Sequence, residues 1–195
     1  MANWAMTAYA IEGDKQVLEK IHHAIKHPKI IKEDSSEGWE GNVLAALGIE
    51  WENRNPDGSG YYMRGFIQED TVRMENGTLR FSAEEAWGAT DLNEVLEENL
   101  PVKVFYCVEE QGEEVFATND KDGKYFFDRF YADICIDGEY DSEYFIDEDS
   151  LLKWLSDKTD GRVKTQEDID EFNADYEDEA LDDENYIHVY EYQIC

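Results

Sequence analysis

The chain is poor in cysteine, proline and positive charge: three cysteines, three prolines and 17 Lys and Arg among 195 residues. Cys107, Cys135 and Cys195 are odd in number, far apart and free of any Cys-x-x-Cys pair. That argues against a disulfide framework or a zinc ribbon and fits a reducing cytoplasm. No stretch approaches the roughly 18 apolar residues of a membrane span, and Met1-Ala2-Asn3-Trp4 does not open a secretory leader. The scarcity of cations argues against direct binding to DNA, RNA or anionic lipid, which need clustered Lys and Arg. Neither G-x-G-x-x-G nor G-x-x-x-x-G-K occurs, and the glycines fall at turns.

Against these shortages stand 48 Asp and Glu, for a net charge of -31, together with 42% hydrophobic and 13% aromatic residues. So much apolar material marks a folded polyanion rather than a disordered one. The charge is uneven: residues 1 to 100 hold 19 acids against 9 bases, and residues 101 to 195 hold 29 against 8. From 167 to 184 there are eleven acids and no Lys or Arg: Glu167, Asp168, Asp170, Glu171, Asp175, Glu177, Asp178, Glu179, Asp182, Asp183 and Glu184. This segment is the candidate partner-binding surface. Ile169, Phe172 and Tyr176 recur in it at i, i+3, i+7, after a Thr165/Asp168 capping box, so the acids are expected on an ordered, docked helix.

Periodicity and turn chemistry predict the remaining elements. Residues 3 to 12 read as a strand, and Asp14 opens a helix with Leu18, Ile21 and Ile25 on one stripe. Gly41 to Leu47 reads as a short helix. Met63 to Glu75 and Thr78 to Ala86 form a hairpin on Asn76-Gly77, which also explains the formal sequon Asn76-Gly77-Thr78. Asp91 caps a second helix, Pro101 stops it, and Val102 to Glu109 is a strand. The order strand-helix-strand-strand-helix-strand predicts an α+β fold over residues 1 to 110: a ferredoxin-like split βαβ sandwich, its antiparallel sheet carrying helices on one face. Residues 111 to 195 are expected to be an acidic β-rich and helical C-terminal extension packed on that core. It reads as strands at Glu114 to Thr118, Lys124 to Ile136 and Glu139 to Ile146, a helix from Glu148 to Ser156, the acidic helix, and a last strand from Tyr186 to Ile194.

Catalytic and metal readings find little support. His23 and His27 have the i, i+4 spacing of a metal pair, but Ala24 stands where the zincin pattern needs Glu, and no third ligand is evident. Cys107 and Cys135 sit among apolar strand residues and read as small hydrophobes. In Asp120-Lys121-Asp122-Gly123, calcium-loop register would place Thr118 first and Arg129 twelfth, so a turn is the better account. With 48 carboxylates, no Asp/Glu couple can be singled out by sequence. Neither an enzyme nor a cofactor or metal is expected.

The residues Met1-Ala2-Asn3-Trp4, Gly13-Asp14, Gly41-Asn42-Val43-Leu44, and Trp87-Gly88-Ala89 followed by Pro101 resemble a family. It comprises phage- and plasmid-borne proteins of unknown function with a YubB ferredoxin-like N-terminal domain, and the likeness covers about the first 120 residues. It departs at Asp91-Leu92, where another aromatic would stand. The resemblance implies a mobile-element setting and transfers no site residue. Together with the ordered acids it leads to an expectation: a non-enzymatic binder of a basic host protein, an anti-restriction or anti-CRISPR inhibitor mimicking nucleic acid. The alternative is a ferredoxin-like interaction module using exposed members of Tyr125, Phe126, Phe127, Phe130 and Tyr131.

Overall fold

The computed structural model describes residues 3–32, 35–176 and 185–195. Its fold is α+β, and the chain divides into two compact units: Met1–Phe126 with Ile194–Cys195, and Phe127–Gln193. Residues 111 to 126, read from sequence with the C-terminal extension, fall in the first of these.

In the first unit the elements are β1 (Trp4–Gly13), α1 (Lys15–Lys26), α2 (Glu40–Leu47), β2 (Gly65–Glu75), β3 (Thr78–Ala86), α3 (Leu92–Asn99), β4 (Val102–Glu110) and β5 (Val115–Thr118). The sheet runs β2-β3-β1-β4-β5-β9, where β9 is the short segment Gln193–Ile194 at the end of the chain. β1 lies antiparallel between β3 and β4, with Tyr9 opposite both Phe81 and Tyr106. The hairpin β2-β3 closes at Glu75 opposite Thr78, with Asn76 and Gly77 both at positive φ, as the Asn-Gly turn requires. Register slips between Gln68 and Arg73, and there the Thr71 hydroxyl accepts from Ser82 N at 2.8 Å, replacing a ladder bond. The α1 stripe of Leu18, Ile21 and Ile25 packs with Tyr9, Ile11, Leu79, Phe81 and Val104 in one core. Each such buried side chain contributes about 2 kcal/mol of apolar burial.

Two expected caps differ in detail. Asp14 and Asp91 occupy the N-cap positions of α1 and α3, yet neither carboxylate makes a cap bond. Asp91 instead accepts from Tyr62 N and pairs with Arg54, both at 2.6 Å. A charge-assisted partner outcompetes the helix terminus.

The second unit contains β6 (Phe130–Ile136), β7 (Glu139–Phe145), α4 (Glu148–Lys158), α5 (Gln166–Tyr176) and β8 (Tyr186–Glu191). Its sheet is ordered β7-β6-β8, both pairings antiparallel. Ala132, Ile134, Phe145 and Ile187 of the sheet pack with Leu151 and Leu155 of α4 and Ile169 and Phe172 of α5 in a second core. β7 is an edge strand, exposed from Glu139 to Tyr144. Its Glu139, Asp141 and Glu143 stand opposite Ile136, Ile134 and Ala132, on the face that the helices cover.

The aromatic strand expected from Lys124 starts only at Phe130. The cause is Asp120, 1% exposed, whose carboxylate accepts from Tyr125 N at 2.6 Å and Phe126 N at 2.9 Å and so withdraws those amides from strand pairing. Replacing it, Asp120→Ala, should cost about 1–2 kcal/mol in a denaturant titration by removing the acceptor of two half-buried amides.

Candidate functional site

The acidic helix α5 forms as its sequence predicts. Asp168 accepts from Lys164 N and Thr165 N, both at 2.8 Å, and Thr165 accepts from Asp168 N at 3.3 Å. These bonds hold the Asp168 carboxyl below its ordinary value, the Lys164 N–H first among them. Ile169 and Phe172 are buried, which fixes the helix by its apolar face. Asp175 pairs with Arg162, whose guanidinium lies 4.7 Å from the Phe172 ring centre and donates to the Tyr176 hydroxyl at 3.0 Å. Two of the candidate acids are therefore engaged within the unit. Glu167, Asp170 and Glu171 remain exposed at i, i+3, i+4, on one helix face. Three charges within about 6 Å of helix axis approach the density of one nucleic-acid strand, about one per 3.4 Å. Glu177, Asp178, Glu179, Asp182, Asp183 and Glu184 lie outside the described residues.

A second acidic constellation was not singled out by sequence, and it is the opposite of a surface patch. Glu40, in the first turn of α2, and Glu85, near the end of β3, are both fully buried. Thr7 and Tyr9 donate to Glu85, the latter at 2.7 Å. Thr90 Oγ1 lies 2.9 Å from Glu40 and 3.0 Å from Glu85, and Gly65 N donates to Glu40 at 3.1 Å. Burial, then the neighbouring Glu85 and a hydrogen bond with it, push the Glu40 carboxyl well above its ordinary value. The Tyr9 hydroxyl is likewise raised by burial and by Glu85. Chemically this is a pair of carboxyl groups bridged by Thr90 and sealed from solvent. The local sequence builds it tightly: Trp39 closes over Gly41, donates to Met63 O at 3.3 Å and bridges to Phe66, which brings Glu40 to the Gly65 amide.

The other sequence candidates are placed as follows. The His23 and His27 rings neighbour each other on the exposed side of α1, centroids 4.5 Å apart. His188 is exposed on β8, stacked on Tyr186 at 4.5 Å. Cys107 is half-buried, Cys135 buried and Cys195 exposed. Among the described residues, no three His, Cys, Asp or Glu are grouped to hold a metal ion, and no helix is long and apolar enough to cross a membrane. Of the aromatic set, Tyr125 donates to Glu12, Phe127 is 61% exposed, Phe130 packs on the second core and Tyr131 is buried. No protein-family model matches this chain, and neither a curated protein nor a solved structure matches it.

Proposed function

We propose that this is a non-enzymatic, phage or mobile-element protein whose second unit captures a basic, nucleic-acid-binding host protein in place of nucleic acid, in the manner of an anti-restriction or anti-CRISPR inhibitor. The observation that carries the reading is the row Glu167, Asp170 and Glu171 on an anchored helix face. Around it, residues 127 to 193 hold 23 acids and 5 bases. Pre-ordered charge binds a basic groove without the entropic cost of ordering a flexible acidic tail. For the first unit we propose a ferredoxin-like identity, supported by the antiparallel run β2-β3-β1-β4 and by α1 and α3 linking β1 to β2 and β3 to β4.

The test is retention of host-lysate proteins on the immobilised full chain, eluted by a salt gradient. The triple substitution Glu167→Gln, Asp170→Asn, Glu171→Gln should leave folding intact and lower affinity for the captured partner about tenfold at low salt. Equal retention of that partner at every salt concentration would overturn mimicry through α5.

A further inference from the structure

Beside the C-terminal half of α2 the first unit carries an open groove of about 670 Å³. Ile31, Ile49, Trp51 and Tyr61 line it together with the exposed Glu50 and Glu52. Its walls are held in place. Trp51 sets its ring against Trp39 at 5.6 Å and 69°, and the Tyr61 hydroxyl donates to Glu98. The intervening loop is braced by Arg54 N to Tyr61 O at 2.9 Å and Tyr61 N to Glu52 O at 2.8 Å. Ile30 and Ile31 beside it are 47% and 46% exposed, an unusual use of branched aliphatic surface in so charged a chain.

We infer that this groove docks an extended segment of a partner protein presenting one bulky apolar side chain flanked by Lys or Arg. Three observations choose this occupant. Ile31, Ile49, Trp51 and Tyr61 give the lining an apolar and aromatic part, which suits a single large anchor. The lining is anionic, with Glu50 and Glu52 exposed and no Lys or Arg among its described residues. And a chain of net charge -31 repels an acidic peptide, a second copy of itself, nucleic acid or an anionic membrane. The tyrosine and tryptophan faces add cation-π sites for the flanking residues. The groove lies in the first unit and uses none of the α5 acids, so it stands apart from the reading proposed above.

The experiment uses the full chain and a labelled synthetic peptide carrying Trp and Leu between four lysines, with a control in which Ser replaces Trp and Leu. Fluorescence anisotropy at near-physiological salt should show saturable binding of the first peptide and at least about tenfold weaker binding of the control. Ala45→Phe, which fills the groove without changing charge, should weaken the first peptide to the level of the control. Glu50→Gln with Glu52→Gln, both at exposed positions and safe for folding, should weaken it several-fold and reduce its salt dependence. The triple α5 variant should leave it unchanged. Equal binding of the two peptides, no effect of the Glu50/Glu52 variant, or loss of binding in the α5 variant would overturn the groove and leave only general attraction to the acidic surface.

Discussion

Glu40→Gln is expected to make the protein more stable at neutral and alkaline pH and to remove much of its pH dependence above pH 5. The folded Glu40 carboxyl holds its proton well above the value near 4.5 at which an unfolded one releases it, because it is buried and faces Glu85. Between those two values the native state binds a proton that the unfolded state has lost. Stability therefore falls as pH rises, at a slope approaching about 1.4 kcal/mol per pH unit for one proton. The groups that face the Glu40/Glu85 pair from the packed elements are Thr7 and Tyr9 on β1, Thr90 before α3 and the Gly65 amide of β2. Tyr9 is raised as well, so it adds a loss only above its ordinary value near 10. Glu12, Asp57, Asp141, Asp147 and Asp168 are shifted the other way, each by a hydrogen bond to the charged form. Their stabilisation is present above their unfolded values near 4 and is lost only as pH falls below that. A glutamine amide keeps the acceptor for Gly65 N and the donor toward Glu85 but has no proton to lose. Denaturant titrations from pH 5 to 8 should show the wild-type slope and a flatter variant. If both curves have the same slope, the proton does not reside on Glu40.

The second large effect is at Gly65. A β-carbon there would stand 2.5 Å from the Glu40 carboxyl carbon and 2.8 Å from Oε2, closer than real contacts allow. Glu40 cannot retreat freely, since its side chain is fully buried between Thr90 and Glu85. Gly65→Ala should therefore cost about 3 kcal/mol and lower the melting temperature by roughly 5–10 °C. In a Glu40→Ala background the same substitution should cost little, because the group it strikes is gone. Additive losses in that double-mutant cycle would mean that the glycine serves the backbone of β2 and not the carboxyl.

These two residues also show where sequence reading stops. The apolar stripe of α1, the Asn76-Gly77 hairpin and the Thr165/Asp168 box are local signals, and each forms its element. Glu85 was partly legible: strand parity carries Leu79, Phe81 and Ala83 inward, and Glu85 is next on that face. Among 48 acids this did not stand out, because a buried carboxyl makes sense only once its partner is known. Glu40 was not legible at all, since its burial depends on the Trp39 to Phe66 bridge, a contact across 27 residues of chain. The last strand failed for a similar reason. Tyr186 to Ile194 reads as one run, yet Tyr192 N still donates to Arg129 O at 2.9 Å beside β6 while Cys195 N donates to Thr118 O at 2.9 Å beside β5, so the run divides into β8 and β9, in two different sheets. Of the acidic segment, periodicity foretold the helix and the Thr165/Asp168 box foretold its cap, but nothing local foretold that Asp175 is spent on an ion pair with Arg162.

The strand β7 carries a consequence for how the molecule behaves in a crowded solution. An edge strand normally offers a row of unsatisfied amides on which another chain can nucleate a growing sheet. Here any newcomer would lay its side chains against Glu139, Asp141 and Glu143, of which Asp141 is tied to Lys158 at 2.5 Å. Those carboxylates, exposed at the margin, would be crowded and partly desolvated by the newcomer, which opposes the gain from its backbone hydrogen bonds. At the β7 margin, one of the two edges of the three-stranded sheet, templated growth is thus disfavoured by the strand's own side chains.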